Sequence, residues 1–234
     1  MPWDWLLLPG LLLGLYAQMK LMATYQRYSR QGVDSGVSGA EAARIILDRA
    51  GLRQVTVDMV PGQLTDHYDP SKRALFLSEA NFRGRSLAAV GVAAHEAGHA
   101  LQHQAAYAPL QLRMALVPAT SFATRIFFII FFGGMLLTMF GMLAPALFAR
   151  VLPFAIGAYA VVTFFQLVTL PVEFDASRRA KQALVALGIV RDTEAPAVSR
   201  VLNAAALTYV AALISSVLEL LRLVMIARAF GDDS

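Results

Sequence analysis

Apolar residues collect in four blocks along the chain, with polar stretches between them. Block 3–18 is short for a membrane span but carries Trp3, Trp5 and Tyr16 at its flanks, aromatics that favour a bilayer interface. No basic leader precedes it and no small-residue cleavage pattern follows, which predicts a retained anchor rather than a signal peptide. Block 126–149 is uncharged and longer than the roughly 20 residues a bilayer requires; after Arg150, block 152–172 repeats the pattern. Gly133 and Gly134 offer close helix packing there. A last block covers about residues 204–227. The pattern predicts an N-terminal transmembrane helix at 1–19, a polar region at 20–125, a transmembrane hairpin at 126–172, a polar helical segment at 173–203, and a final span with its tail at 204–234.

Inside region 20–125 the periodicity changes. Ser38-Gly-Ala-Glu41 is a capping-box pattern ahead of a helical run, and Gly51 follows as a stop. Residues 54–60 and 73–78 alternate with period two, and the turn-rich 61–72 lies between them. Two short strands in a hairpin-like arrangement are expected. Arg83 to Ser86 then opens a proline-free helix running to about Tyr107. The fold expected is mainly α, with about four transmembrane helices and a smaller α+β region holding a β-hairpin or small sheet.

Composition supports that reading: 57% of the residues are hydrophobic and only 15% charged, too apolar for an ordinary soluble domain. Cysteine is absent, so disulfides, thiolate ligands and thiol nucleophiles are excluded. The formal charge is +4, but the basic residues flank the apolar blocks instead of alternating with aromatics. That placement fits membrane orientation and no nucleic-acid partner. Lys20, Arg27, Arg30, Arg113 and Arg125 border the first polar region, and Arg178, Arg179 and Lys181 the second. Arg150, Arg228 and the acidic Asp232 and Asp233 fall on the other side. Both polar regions are therefore expected to face the cytoplasm of a multi-pass inner-membrane protein, with both termini outside. Glu219 and Arg222, three apart in the last block, are expected to pair.

The densest chemistry is His95-Glu96-Ala97-Gly98-His99. Residues four apart on a helix lie about 40° apart and one turn up, so the two imidazoles leave the same face and can share a Zn²⁺ ion. Glu96 lies beside them as a general base toward water. A catalytic zinc site usually has three protein ligands. His103 continues the series but would lie about 12 Å along the axis from His95, too far to share an ion on a straight helix. His67 in the turn-rich segment is possible. Glu173 fits topologically, because the chain crosses the membrane and returns just before it; Pro171 would suit the first turn of a helix starting there. Asp175, Ser177 and Asp69 are candidates for orienting an imidazole. His67, Tyr68 and Tyr209, and less so Arg179, are candidates for stabilising an oxyanion.

The segments HEAGHALQHQ, LTDHYDPSKRALFLS, LPVEFDASRRA and VLNAAALTYVAALISSVLELLRL resemble the YugP-type bacterial membrane zinc metallopeptidases over nearly the whole chain. EFDAS is also similar to the Glu-bearing helix of HtpX-like membrane gluzincins, where Glu is the third ligand. Those relatives carry Asp four residues after that Glu, where this chain has Ser177. The resemblance implies a zincin-like catalytic region, hydrolysis of peptide bonds in polypeptide substrates, and a 73–78 strand on the cleft rim that pairs with substrate. Core packing is the plainer reading of that strand. A site-2-type intramembrane protease and a non-catalytic membrane scaffold are the competing readings. Arg83 and Arg85 before the motif helix, and His103 and Gln104 after its histidines, argue against the first. An intact Glu96 argues against the second.

Overall fold

The computed structural model describes residues 3–232, with side chains at 3–229. The acidic tail at Asp232 and Asp233 lies outside the described side chains. After a short 3₁₀ turn at Asp4–Leu6, the elements are α1 (Leu7–Ser29), α2 (Gly39–Arg49), β1 (Thr56–Val60), β2 (His67–Asp69), β3 (Ala74–Ser78), α3 (Glu79–Arg83), α4 (Leu87–Gln104), α5 (Ala108–Phe127), α6 (Gly134–Met139), α7 (Pro145–Ala186) and α8 (Ala195–Asp232). A π-helical turn at Phe128–Gly133 joins α5 to α6. Among the described residues, Asp4–Ser29, Ala108–Met139, Pro145–Ala186 and Ala195–Ala229 are long and apolar enough to cross a membrane.

Two boundaries differ from the sequence pattern. The second long helix begins at Ala108, not near 126, and it ends at Met139. The break falls at residues 140–144, not at Arg150, which lies within α7. The punctuation explains this: Gly141 takes a left-handed φ of +70° and Pro145 opens the next helix, which continues through Arg150. Nor does a helix start at Pro171, which lies inside the continuous α7. An interior proline removes one helical hydrogen bond, a loss that a long packed helix absorbs.

The backbone contacts divide the chain into two compact units. One comprises Met1–Tyr16, Leu112–Leu170 and Tyr209–Ser234; the other comprises Ala17–Gln111 and Pro171–Thr208. In the first, Phe127, Phe131, Phe148, Leu152 and Leu223 form an apolar core. A Cβ at Gly134 would meet the Phe148 ring at 2.7 Å, so Gly134 permits the α6–α7 approach, while Gly133 has open space. Arg222 pairs with Glu219 as expected and also donates to Asp4 at 2.8 Å.

The second unit holds the sheet. Its order is β1-β3-β2, with β3 parallel to β1 and antiparallel to β2. The expected 54–60 to 73–78 hairpin is therefore replaced by a β2–β3 hairpin, with β1 added in parallel on the far edge. The reason lies in the connection. The Asp69 carboxylate accepts from the backbone N–H groups of Ser71 and Lys72, and Arg73 adopts φ +54°, which closes a tight turn before β3. Asp66 accepts from Ser78 N and from Asn81 Nδ2, both at 2.8 Å, and so ties the preceding loop to the far end of β3. β3 is buried almost throughout, and both of its edges are occupied. It therefore cannot accept a substrate strand, and the core-packing reading of this segment holds.

Behind the sheet, Ile46 and Leu47 of α2 and Val90 and Ala93 of α4 share one core with Leu75 and Leu77 of β3. α2 starts at the capping box, with Ser38 N donating to Glu41 Oε2 at 2.6 Å and Glu41 N to Ser38 Oγ at 3.3 Å. It stops before Gly51, whose φ is +74°. Ser86 caps α4, accepting from Ala89 N at 3.2 Å.

Candidate metal centre

α4 is built almost wholly from small residues on its buried faces, with Ala93, Ala94, Ala97 and Ala100 nearly fully enclosed. Small side chains let another helix approach closely, and Gly98 marks the closest point. A Cβ there would lie 2.5 Å from the Ala176 carbonyl oxygen of α7. This contact sets Glu173, one turn earlier on α7, against the histidine face of α4.

His95, His99 and Glu173 meet there, with their ligand atoms all within 4.8 Å of one another. Glu173 Oε2 lies 3.2 Å from His95 Nε2 and 3.7 Å from His99 Nε2. The two rings sit edge to face at 4.8 Å. Glu173 and His99 are buried and His95 is 14% exposed, which leaves one side open.

The far nitrogens of both imidazoles are occupied. His95 Nδ1 lies 3.1 Å from Ser177 Oγ. His99 Nδ1 lies 3.0 Å from Gln102 Oε1. The buried Gln102 donates through Nε2 to Val172 O at 2.8 Å and to Asp175 Oδ2 at 2.9 Å. Both of those partners are acceptors, so the amide nitrogen must face them and the amide oxygen must face His99. His99 Nδ1 therefore carries a proton, which leaves Nε2 as the nitrogen that faces Glu173. Asp175 is held in turn by Arg178 and by Arg179, the latter at 2.6 Å.

This donor set suits a divalent ion. Three donors, each about 2.1 Å from a tetrahedral zinc, stand about 3.4 Å apart, close to the two contacts of Glu173 with the imidazoles. Glu96, also buried, lies between the two histidines on α4. Burial alone would push the His99 imidazole down, but the Glu173 carboxylate, aided by Glu96 and Gln102, holds its pKa above the ordinary value. Two buried carboxylates against two imidazoles form a site that a cation would balance.

The other sequence candidates have partners of their own. His67 Nδ1 donates to Thr65 O at 2.9 Å, and its ring stacks on Phe76 at 4.9 Å. His103 Nδ1 is 2.9 Å from the Tyr68 hydroxyl, joining α4 to β2. Burial pushes the Tyr68 phenol up, so it stays protonated. Asp69 is engaged by its own turn, and Arg179 by Asp175 and the Tyr107 ring. Tyr209 belongs to the other unit. Sequence reasoning missed Gln102; its signal was the i, i+3 offset from His99, which puts it on the same helix face.

Known proteins bear on this arrangement. A family model described as "Putative neutral zinc metallopeptidase" matches residues 3–228. The protein described as "Putative membrane protease YugP" from Bacillus subtilis (strain 168) is 47% identical over 222 residues, covering 95% of each chain. No solved structure matches. With a match that runs nearly end to end, the chain belongs to this YugP-type zinc metallopeptidase family.

Proposed function

We propose that the chain is a membrane-embedded zinc metalloendopeptidase that cleaves polypeptides, membrane proteins among them, at the cytoplasmic surface of a bacterial inner membrane. The observation that carries the reading is the convergence of His95, His99 and Glu173, with Glu96 on the same turn of α4. That is a gluzincin ligand set, and the region around it is read as zincin-like. A bound zinc ion supplies Lewis-acid polarisation of the scissile carbonyl and makes water a better nucleophile near neutral pH. Glu96 accepts the proton from the attacking water and delivers it to the leaving amine. Gln102 and Ser177 fix the imidazole orientations, and the buried walls of the site exclude bulk water. The oxyanion partner is proposed among His67, Tyr68 and Tyr209.

Helix length supports a surface site. At 1.5 Å per residue, the 42-residue α7 is about 63 Å long, roughly twice the hydrocarbon thickness of a bilayer. If its span begins near Pro145, about 20 residues carry it across before Glu173. α4, which bears both histidines, is not among the four membrane-length apolar helices. These points favour the surface reading over a site-2-type intramembrane protease. The basic residues beside the apolar blocks support both polar regions facing the cytoplasm and both termini outside.

The test pairs zinc content with casein hydrolysis, with and without chelator. Glu96→Gln is expected to hold about one equivalent of zinc while cleavage disappears. Turnover that survives in Glu96→Gln would refute the assigned base. Wild-type protein that binds zinc and cleaves nothing would favour the scaffold reading.

A further inference from the structure

A second polar site lies between α1 and the start of α8, outside the metal centre. It is a groove of about 420 Å³ lined by Lys20, Thr24, Arg27 and Tyr28 of α1 and by Arg200 and Asn203 of α8. Three of its lining residues are cationic, and no carboxylate is among them. The groove is braced from below. Tyr28 is buried, and its hydroxyl accepts from Arg200 Nη1 at 2.9 Å, while the Arg27 guanidinium sits 5.6 Å from the Tyr28 ring centre. Arg27 and Arg200, both held against the neutral Tyr28, bring two like charges together, an arrangement that an entering anion offsets, and Thr24 and Asn203 add neutral hydrogen-bonding groups to the same wall.

Its place along the two helices narrows the identity of that anion. The apolar run of α1 ends just before Lys20, and that of α8 begins at Ala204, also a wall residue. The groove thus sits where both candidate spans change from apolar to polar, the level at which a bilayer presents its headgroups. We propose that this groove binds a phosphate-type anion, supplied by the headgroup of an anionic phospholipid whose chains lie along the apolar runs. The proposal rests on these helices crossing a membrane. It is independent of the metal and of any proteolytic activity.

The test uses the full-length protein in a nonionic detergent. Its thermal unfolding is followed as dioctanoyl phosphatidylglycerol, dioctanoyl phosphatidylcholine or inorganic phosphate is added, since a ligand of the folded state raises the transition. Saturable stabilisation is expected from phosphatidylglycerol, none from phosphatidylcholine, and at least roughly tenfold weaker binding from inorganic phosphate, which lacks chains. Each cation removed should weaken phosphatidylglycerol about 5-fold, so Arg27→Gln/Arg200→Gln should lose about 25-fold. Arg30→Gln, three residues past Arg27 but outside the groove, should change it less than about twofold. Should the double variant fail to fold, Ala23→Glu places a carboxylate on the exposed wall and should abolish binding. Equal losses in Arg30→Gln and the double variant would reduce the effect to a general field and overturn the site. Equal binding of phosphatidylcholine, or inorganic phosphate as tight as phosphatidylglycerol, would overturn the lipid assignment.

Discussion

Gln102→Met is the most informative substitution, because the shape is nearly kept while every hydrogen bond is lost. Gln102 is fully buried and serves three partners: His99 Nδ1, Val172 O and Asp175 Oδ2. Asp175 keeps Arg178 and Arg179, so its loss is small. The His99 N–H is stranded in a dry site, at about 1–3 kcal/mol, while the Val172 carbonyl keeps its intrahelical partner within α7 and loses little. The metal-free protein should therefore lose roughly 1–3 kcal/mol, a sizeable share of a typical domain's total. With the imidazole no longer fixed in its Nδ1–H tautomer, zinc affinity should fall about 10–100-fold, or roughly 1.4–2.7 kcal/mol. Competition against a chromophoric chelator reads the affinity, and a melt of the chelated protein reads the stability. Gln102→Glu separates the two effects. It still accepts from His99 but turns a charge on Val172 O and Asp175, so it should lose stability yet retain more zinc affinity than the Met variant. If Gln102→Met binds zinc within about twofold of wild type and melts unchanged, the proposed tautomer lock is wrong.

Glu173→Gln keeps the side-chain shape and removes the anionic ligand, so zinc occupancy after dialysis should fall further than in Gln102→Met; metal analysis decides. Gly98→Ala should gain up to about 1 kcal/mol of helix propensity but lose about 1–3 to overpacking. The obstructing atoms, Ala176 O at 2.5 Å and Ala176 C at 3.1 Å, are backbone and cannot swing aside. A lower melting temperature together with weaker zinc binding is expected, and a stabilised variant would contradict the close approach. In metal-free protein, the raised His99 pKa means that the folded state holds a proton more tightly than the unfolded chain. That stabilisation is complete below the unfolded value of about 6.5 and is lost as pH rises through the higher folded value. Zinc retention should run the other way, improving with pH as protons stop competing for the ligands. Opposite slopes in melts of chelated and zinc-loaded protein check both, and parallel slopes would count against the shared carboxylate–imidazole site.

What the sequence made legible was local. The capping box at Ser38 and Glu41, the stop at Gly51, the start of α4 after Ser86 and the His95–His99 pair depend on offsets of three or four residues. What it hid was pairing at a distance. β1 and β3 look like hairpin partners because each alternates, yet parallel pairing depends on where Asp66 and Asp69 hold the intervening chain. The π-helical turn at Phe128–Gly133 and the continuation of α7 through Pro171 carry no comparable local mark. Local propensity does not decide either.

Glu173 shows how one long element resolves several of these uncertainties together. A helix that began at Pro171 would have placed Glu173 in a frayed first turn, where N–H groups lack intrahelical partners and the backbone position is loose. Within the continuous α7 it lies in a rigid stretch that also supplies Asp175 to Gln102, the Ala176 carbonyl to Gly98 and Ser177 to His95. Five consecutive residues thus carry the ligand, both imidazole supports and the packing contact. Ser177 reaches the His95 ring from the same stretch. A ligand carried on that stretch cannot shift without disturbing the hydrogen bonds of both histidines, and metal binding should therefore be coupled tightly to the docking of α4 on α7.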